Sequence, residues 1–236
     1  MITSLTVCVN YHDLCTITLP VLRSQVDHCV VVTSPQDVET RRLALKHHAL
    51  VVVTDAFYRD GASFNKALAL EEAVDAIERE GWNDWILHID ADVLVPNDMR
   101  HRLPELQEDT MYGSPRLMAY TKEDLDKQTL VDARDGEMAG WFQLFYGAGL
   151  TRPWYDVTWK HAGGYDSEFW QRFQRREWVP FKVIHLGKDG QNWHGRQTDF
   201  WGDCKLTGPF SQEDIISRRE KWLESKKTKR ALDCKE

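Results

Sequence analysis

Residues 85–96 read WILHIDADVLVP, an apolar run followed by two aspartates one residue apart. The run WILHI is short and mostly apolar, which predicts a strand buried on both faces. Asp90 and Asp92 follow where such a strand would reach the edge of its sheet, and alternation along a strand would send both carboxylates to one side. Ligands of open α/β sheets bind at this carboxyl edge. The stretch therefore predicts a parallel sheet with a site at its edge.

The two carboxylates need a partner. Like charges held close repel each other unless a cation neutralises them. Mg²⁺ and Mn²⁺ take one or two protein carboxylates and share phosphate oxygens. Asp90 and Asp92 therefore predict a divalent metal bound together with a diphosphate. The alternative is that one aspartate caps a following helix and the other is solvated.

Three similar apolar runs precede this stretch, at residues 5–10 (LTVCVN), 29–33 (CVVVT) and 50–54 (LVVVT). A helix is predicted over residues 63–80, because Ala67, Leu70, Val74 and Ile77 share one face and Gly81 supplies a stop. Strands that alternate with helices in this way predict a mostly parallel central sheet covered on both sides.

The second half of the chain differs in composition. Eight of the ten tryptophans lie after residue 140, and the strand-helix alternation weakens there. Most of these rings are expected in the core, with Trp154 and Trp193 the two expected to face a ligand. Residues 178–187 (WVPFKVIHLG) predict one more strand, and residues 211–229 a charged helix. The fold class is therefore α/β, with a more irregular aromatic half beside a nucleotide-type crevice.

Composition narrows the class of protein further. The net charge of −7 over 236 residues argues against a general nucleic-acid coat or a membrane-surface protein. The opening residues lack the pattern of a signal peptide, and the apolar runs are too short to span a membrane. Five cysteines without a CxxC spacing predict buried, reduced thiols and a cytoplasmic location.

Six motifs that carry a family resemblance follow one another along most of the chain. They are VCVNY (7–11), GASFNKALAL (61–70), HIDADVLVP (88–96), GWFQLF (140–145), GGYDSEFW (163–170) and VIHLGKDGQNW (183–193). In these motifs the chain resembles the nucleotide-sugar-dependent glycosyltransferases of GT-A fold, and it is similar to the family 2 enzymes and to the catalytic domain of the β-1,4-galactosyltransferases. The resemblance implies a sugar donor on a nucleoside diphosphate, commonly UDP, with Mn²⁺ or Mg²⁺ as cofactor.

The resemblance also implies that three segments of one GT-A domain have different functions. Residues 1–96 would bind the nucleotide sugar, residues 97–210 would hold the acceptor and complete the metal site, and residues 211–236 would form a charged helix and tail.

The donor-binding residues follow from the same resemblance. Asn10 and Tyr11 would line the nucleoside pocket. Asn65 and Lys66 would hold the sugar donor beside the DxD motif, which is the sequence DAD at residues 90–92. Many family 2 enzymes read the base with an aspartate after the second strand, where this chain has a threonine. Asp37 is the expected substitute, and backbone groups are the alternative.

The metal ligands are implied by position in the motifs. Asp90 would contact the ribose or sugar side of the donor, and Asp92 would ligate the metal. His185 would complete the metal shell, with His194 as second choice beside Trp193. Neutral imidazole suits Mn²⁺.

The general base departs from the family pattern. Related inverting enzymes show a Glu-Asp pair after the GGYDSEFW motif, whereas this chain continues QRFQRREW. Asp166 and Glu168 are the expected catalytic carboxylates, because an inverting transfer needs a base near the acceptor hydroxyl. Alternatively Asp166 caps a helix. If neither carboxylate acts as base, a retaining mechanism becomes possible.

The acceptor stays open between a saccharide, a lipid-linked sugar, a protein and a hydroxymethylated DNA base, the last as in viral glycosyltransferases. The basic run 221–230, with Arg172, Arg175 and Arg176, could attract phosphates of DNA or lipid, or be a solvated surface. Stable membrane insertion is not expected. A non-catalytic nucleotide-sugar-binding module is the alternative of another class. A nucleotidyltransferase is disfavoured, because VCVNYHDLCTITLP has no glycine-rich loop after the first strand.

Overall fold

The four apolar runs of the N-terminal part form four adjacent parallel strands in the computed structural model, which describes residues 1–62, 64–133 and 140–187. They are β1 (Ile2–Val7), β2 (His28–Thr33), β3 (Leu50–Val53) and β4 (Trp85–His88), in spatial order β4-β1-β2-β3. Parallel neighbours need long crossover connections. The helices α1 (His12–Gln25), α2 (Val38–Lys46) and α3 (Lys66–Glu80) lie in these connections. The predicted alternation is confirmed.

The first strand begins and ends three residues earlier than its apolar run. All six of its residues are buried, although Thr3, Ser4 and Thr6 are polar. The Thr3 hydroxyl donates to the Trp82 carbonyl at 2.7 Å, and the Ser4 hydroxyl donates to the Cys29 thiol at 3.1 Å. These hydrogen bonds satisfy the hydroxyls of Thr3 and Ser4 inside the core, so the strand tolerates the polar residues that hid its start in the sequence. The Thr6 hydroxyl has no hydrogen-bond partner among the described residues.

Helix α3 has the predicted apolar face but a later start. Ala67, Leu70, Val74 and Ile77 are all fully buried. The Asn65 side chain caps the helix by accepting from the Leu68 amide at 2.8 Å, so the helix begins at Lys66 rather than at residue 63. It ends at Gly81, whose φ of 70° is left-handed. In the described ranges, no helix combines the length and apolar character that a membrane crossing requires.

The second half contributes three more strands to the same sheet. They are β6 (Thr110–Gly113), β9 (Gln143–Tyr146) and β10 (Arg175–Trp178), which give the seven-stranded order β10-β6-β9-β4-β1-β2-β3. Only β9 runs antiparallel to its neighbours among these seven strands. The chain is therefore one α/β domain with a mostly parallel central sheet, and its core continues across both halves.

A second sheet forms beside the carboxyl end of β4. Its strands are β5 (Val93–Leu94), β7 (Arg116–Ala119), β8 (Val131–Ala133) and β11 (Val183–Leu186), in the order β5-β11-β7-β8. The other helices of the described residues are α4 (Met99–Arg102), α5 (Lys122–Lys127) and α6 (Tyr165–Gln171), and a 3₁₀ segment covers Ala56–Gly61. The antiparallel pairing of β5 with β11 places His185 opposite Val93. This pairing brings the second half to the DxD motif.

The described tryptophans and cysteines belong mainly to the core. Trp141 and Trp154 are buried, and the expectation that Trp154 faces a ligand is wrong, because its side chain is 1% exposed among aromatic neighbours. Cys8, Cys15 and Cys29 are buried free thiols, as predicted. Trp193, the other two cysteines and the predicted helix 211–229 lie outside the described residues.

We expect Leu70→Ala to lower the free energy of unfolding by about 2 to 5 kcal/mol, because it leaves a cavity between α3 and the sheet. Leu45→Ala is the matched control, since Leu45 on α2 is 64% exposed and its loss should change stability by less than about 0.5 kcal/mol. Urea denaturation followed by circular dichroism measures both. Equal losses in the two variants would contradict the assignment of this face of α3 to the core.

Candidate active site

The DxD motif lies in a turn after β4. The strand ends at His88, and the Val93 amide donates to the Asp90 carbonyl at 3.2 Å, which closes the turn. Strand alternation therefore does not orient the two carboxylates, contrary to the sequence-based expectation. The turn does place both at the carboxyl edge of the central sheet, between α3 and β11.

Lys66 is the counter-ion of this edge. It is the first residue of α3, and its ammonium forms an ion pair with the Asp90 carboxylate, with only 12% and 30% of the two side chains exposed. Burial opposes both charges, but the pairing outweighs it: the pKa of Lys66 lies above its usual value and the pKa of Asp90 below. Asp92 and Asp166 also act on the ammonium. One cation thus serves three aspartates.

Asp92 and His185 face each other across the site. The His185 Nε2 lies 3.9 Å from the Asp92 Oδ1, and the side chains are 9% and 17% exposed. Burial, and then the neighbouring Asp90 charge, raises the pKa of Asp92 above its usual value, although His185 opposes this. The His185 Nδ1 is buried without a hydrogen-bond partner among the described residues. The two side chains are therefore close to each other, but the hydrogen-bonding capacity of His185 is not fully used among the described residues.

The Asp92–His185 pair fits a divalent cation. Its separation is too long for a hydrogen bond, but two ligands of one Mg²⁺-sized ion can lie up to about 4.2 Å apart, twice the metal–oxygen distance. A carboxylate with an imidazole is a donor set that Mn²⁺ accepts. In the described part of the chain, no three His, Cys, Asp or Glu side chains are grouped to hold a metal by themselves. Oxygens of a ligand and of water would have to complete the shell.

Asp166 joins the same cluster from α6. Its Oδ2 accepts a hydrogen bond from the Gly140 amide at 2.6 Å. Burial raises the pKa of Asp166, with the Gly140 bond and Lys66 opposing and Asp90 adding to the rise. A Cβ at Gly140 would lie 2.9 Å from this Oδ2, so the close approach requires glycine. The cap of α6 is Gly164, without a side-chain cap bond, so Asp166 does not cap the helix.

Glu168 is engaged elsewhere. Its Oε2 accepts from the Trp159 indole at 2.9 Å, and its Oε1 lies 4.0 Å from the Arg172 guanidinium. Both contacts lead away from the aspartate cluster. A catalytic role for Glu168 stays a prediction, and Asp166 is the better placed of the two carboxylates.

Several side chains that were predicted to bind the nucleotide-sugar donor form hydrogen bonds within the protein. Asn65 is fully buried: its Oδ1 caps α3 and its Nδ2 donates to the Val157 carbonyl at 3.0 Å. Asp37 accepts from the amides of Asn10 and Thr40, at 2.6 and 3.0 Å, and so ties the loops after β1 and β2 together. Asn10 is exposed with a φ of 59°.

It stays a prediction that the nucleotide sugar contacts Asn10, Tyr11, Asp37 and Asn65. His194 and Trp193 lie outside the described residues.

The sequence did not single out a buried polar group beneath the aspartates. It consists of His88, Gln143 and Tyr165, which are joined by hydrogen bonds. Burial, and then the Lys66 charge, lowers the pKa of His88 to about 3, so its imidazole is neutral. The available signal was a histidine inside the apolar run WILHI, where a polar side chain needs a partner.

The three arginines near α6, Arg172, Arg175 and Arg176, form contacts within the protein. Arg175 lies 3.4 Å from both Asp109 and Glu177, and Arg172 donates to the Trp154 carbonyl at 2.9 Å. Arg176 stacks over the Trp170 ring at 4.7 Å. These contacts reduce the positive charge that this surface offers to phosphates. The basic run 221–230 lies outside the described residues.

Comparison with solved structures finds the same fold at low sequence identity. Glucosyl-3-phosphoglycerate synthase from Mycobacterium tuberculosis, in complex with Mn²⁺, UDP-glucose and phosphoglyceric acid, is 17% identical over 80% of this chain and 72% of that chain, with a TM-score of 0.51. The same enzyme with Mn²⁺, UDP and phosphoglyceric acid is 16% identical, covering 80% and 71%, with a TM-score of 0.51. A further mycobacterial protein gives 16% identity, 80% and 67% coverage, and a TM-score of 0.52.

No family model and no curated protein matches the sequence. At these identities the structural likeness establishes the architecture, and the chain has the GT-A fold that its motifs predicted. The narrower similarity to family 2 enzymes and β-1,4-galactosyltransferases stays a prediction.

We expect Lys66→Met to lower the free energy of unfolding by roughly 3 kcal/mol at neutral pH, because it leaves buried carboxylates without their cation. The Lys66 charge holds the Asp90 pKa down, so the pairing stabilises the fold above the ordinary carboxyl pKa and is lost as pH falls. The deficit of the variant should therefore be full at neutral pH and shrink at about pH 3, below the ordinary carboxyl pKa, where Asp90 takes up its proton.

Urea titrations at both pH values measure this difference. Lys127→Met is the control, since Lys127 forms an exposed ion pair with Glu123 on α5, and such pairs contribute about 1 kcal/mol or less. A deficit for Lys66→Met that stays constant with pH would contradict the role of Lys66 as counter-ion.

Proposed function

We propose that the protein is a metal-dependent glycosyltransferase that moves a sugar from a nucleoside-diphosphate sugar, in the first place a UDP-sugar, to an acceptor hydroxyl. The observation that carries the proposal is the convergence of Asp92, His185, Asp90, Lys66 and Asp166 at the carboxyl edge of β4. The neighbours in fold include an enzyme solved with Mn²⁺ and UDP-glucose, which supports the same donor chemistry here.

The roles of the residues follow from their contacts. Asp92 and His185 would hold Mn²⁺ or Mg²⁺, which as a Lewis acid stabilises the charge of a departing diphosphate. Lys66 favours the ionised form of Asp90, so that the Asp90 carboxylate can accept hydrogen bonds from hydroxyl groups of the nucleotide sugar. In this proposal residues 1–96 bind the nucleotide sugar, and residues 97–210 complete the metal site and receive the acceptor.

Asp166 is the proposed general base. The charges of Lys66 and Asp90 both act on the Asp166 carboxylate. Burial raises the pKa of Asp166, which makes its carboxylate a stronger proton acceptor. The acceptor hydroxyl would lose its proton to Asp166 while its oxygen forms the bond to the anomeric carbon, and the bond from that carbon to the diphosphate oxygen would break, with the electron pair leaving on the nucleoside diphosphate. The Gly140 amide keeps one carboxylate oxygen in place.

The acceptor is the least defined part of the proposal. Neighbours in fold are solved with phosphoglyceric acid and with glycerol 3-phosphate, so small phosphorylated hydroxyl compounds belong in the panel beside saccharides and lipid-linked sugars. A hydroxymethylated DNA base is the alternative acceptor. A cytoplasmic location, predicted from the cysteines, completes the proposal.

The first test is a panel of UDP-, GDP-, CMP- and TDP-sugars with Mn²⁺ or Mg²⁺, measured by calorimetry and by release of the nucleotide. We expect one donor to bind and turn over with metal. Asp92→Ala and His185→Ala should lower metal-dependent binding at least tenfold, because loss of a residue that only supports a metal ligand already costs about 10- to 100-fold. Asp126→Ala, at an exposed position of α5, is the control and should behave as wild type.

The outcomes separate the candidate functions. Metal-dependent binding without turnover, with any acceptor, would favour the non-catalytic binding module. Full binding by Asp92→Ala would remove the DxD assignment. Turnover that survives Asp92→Ala but not Asp166→Asn would retain a transferase and reject its metal site.

A further inference from the structure

A continuous chain of hydrogen bonds runs beneath the candidate site. The Tyr165 hydroxyl lies 3.3 Å from the His88 Nε2, and the His88 Nδ1 lies 3.3 Å from the Gln143 Oε1. The Gln143 Nε2 then donates to the Asp166 carbonyl at 3.1 Å. Three side chains from β4, β9 and α6 are thereby joined to the main chain of the proposed base.

The direction of every bond in this chain is determined. Because the Gln143 amide nitrogen donates to Asp166, its oxygen is left to accept, and the His88 Nδ1 must carry the proton that it receives. The His88 Nε2 is then an acceptor for the Tyr165 hydroxyl. This arrangement requires a neutral imidazole, in agreement with the strongly lowered pKa of His88. Across these three hydrogen bonds no side chain has a conflicting role.

These hydrogen bonds link the strand that leads to Asp90 with the helix that carries Asp166. His88 ends the strand that leads into Asp90, and Tyr165 begins the helix that carries Asp166. The Tyr165 ring also lies 5.6 Å from the Lys66 ammonium. A shift of α6 against β4 would therefore lengthen these hydrogen bonds and move Asp166 relative to the cation that faces it. Buried polar networks that are fully satisfied specify one geometry in this way.

We propose that His88, Gln143 and Tyr165 are positioning residues that set the place of the Asp166 carboxylate relative to Lys66 and Asp90, a role that rests on the proposed function. Apolar side chains could fill the same space without the cost of burying polar groups. The polar trio is therefore explained by the orientation that it imposes. Its members do not touch the reacting atoms, and they act on transfer only through Asp166.

The first experiment removes one hydroxyl. Tyr165→Phe keeps the ring and loses the bond to His88, and we expect kcat to fall roughly tenfold while the KM of the donor stays within about twofold. Tyr155→Phe is the matched control, because Tyr155 is fully buried, its ring packs against His88 and Tyr165, and its hydroxyl has no hydrogen-bond partner among the described residues. It should leave kcat unchanged.

A double-mutant cycle tests whether Tyr165 acts through Asp166. In the Asp166→Asn background, Tyr165→Phe should change the remaining rate by less than about twofold, because coupled positions are non-additive. The same tenfold loss in both backgrounds, or a tenfold loss in the Tyr155→Phe control, would overturn the proposal.

A second readout does not depend on activity. The Gly140 amide proton bonds to the Asp166 carboxylate, so its NMR shift and exchange rate report the place of that carboxylate. We expect Tyr165→Phe to move the Gly140 resonance and to speed its exchange severalfold, and Tyr155→Phe to do neither. An unmoved Gly140 amide in Tyr165→Phe overturns the positioning role. If wild type shows no turnover of any donor, the proposed function fails, and this amide still decides the positioning role.

Discussion

The site depends on one buried ammonium group. Lys66 stands where three aspartates converge, and without it the ionised carboxylates would repel one another in a poorly solvated place. Its position is set by Asn65, whose side chain fixes the first turn of α3 and reaches across to the Val157 carbonyl. The GASFNKALAL motif thus places its lysine by capping the helix on which that lysine stands.

The pairing with Lys66 divides the aspartates by role. Asp90, which it neutralises, keeps a lowered pKa, whereas burial raises the pKa of both Asp92 and Asp166. In the proposed function the three aspartates have different roles: Asp90 accepts hydrogen bonds, Asp92 ligates the metal and Asp166 accepts a proton. Their environments, rather than their identities, separate them.

The sequence could predict the parallel strands and α3, because apolar periodicity is a local signal. It could not predict β6, β9 and β10, which are short and complete the sheet only through partners distant in the chain. The motifs pointed to Asp90, Asp92, Lys66, Asp166 and His185, and the structure brings these five together. The polar network of His88 and the engagement of Glu168 by Trp159 depend on tertiary contacts that no local pattern records.

The two-residue strand β5 has a consequence for how the protein acquires its site. Its pairing with β11 joins segments from the middle and the far end of the described chain, and this contact brings Asp92 to His185. Closing so long a loop carries an entropic cost that earlier structure must offset, and such distant pairings form slowly. The proposed cation site should consequently form late in folding, so that metal affinity, if the proposal holds, would distinguish the native protein from a collapsed intermediate.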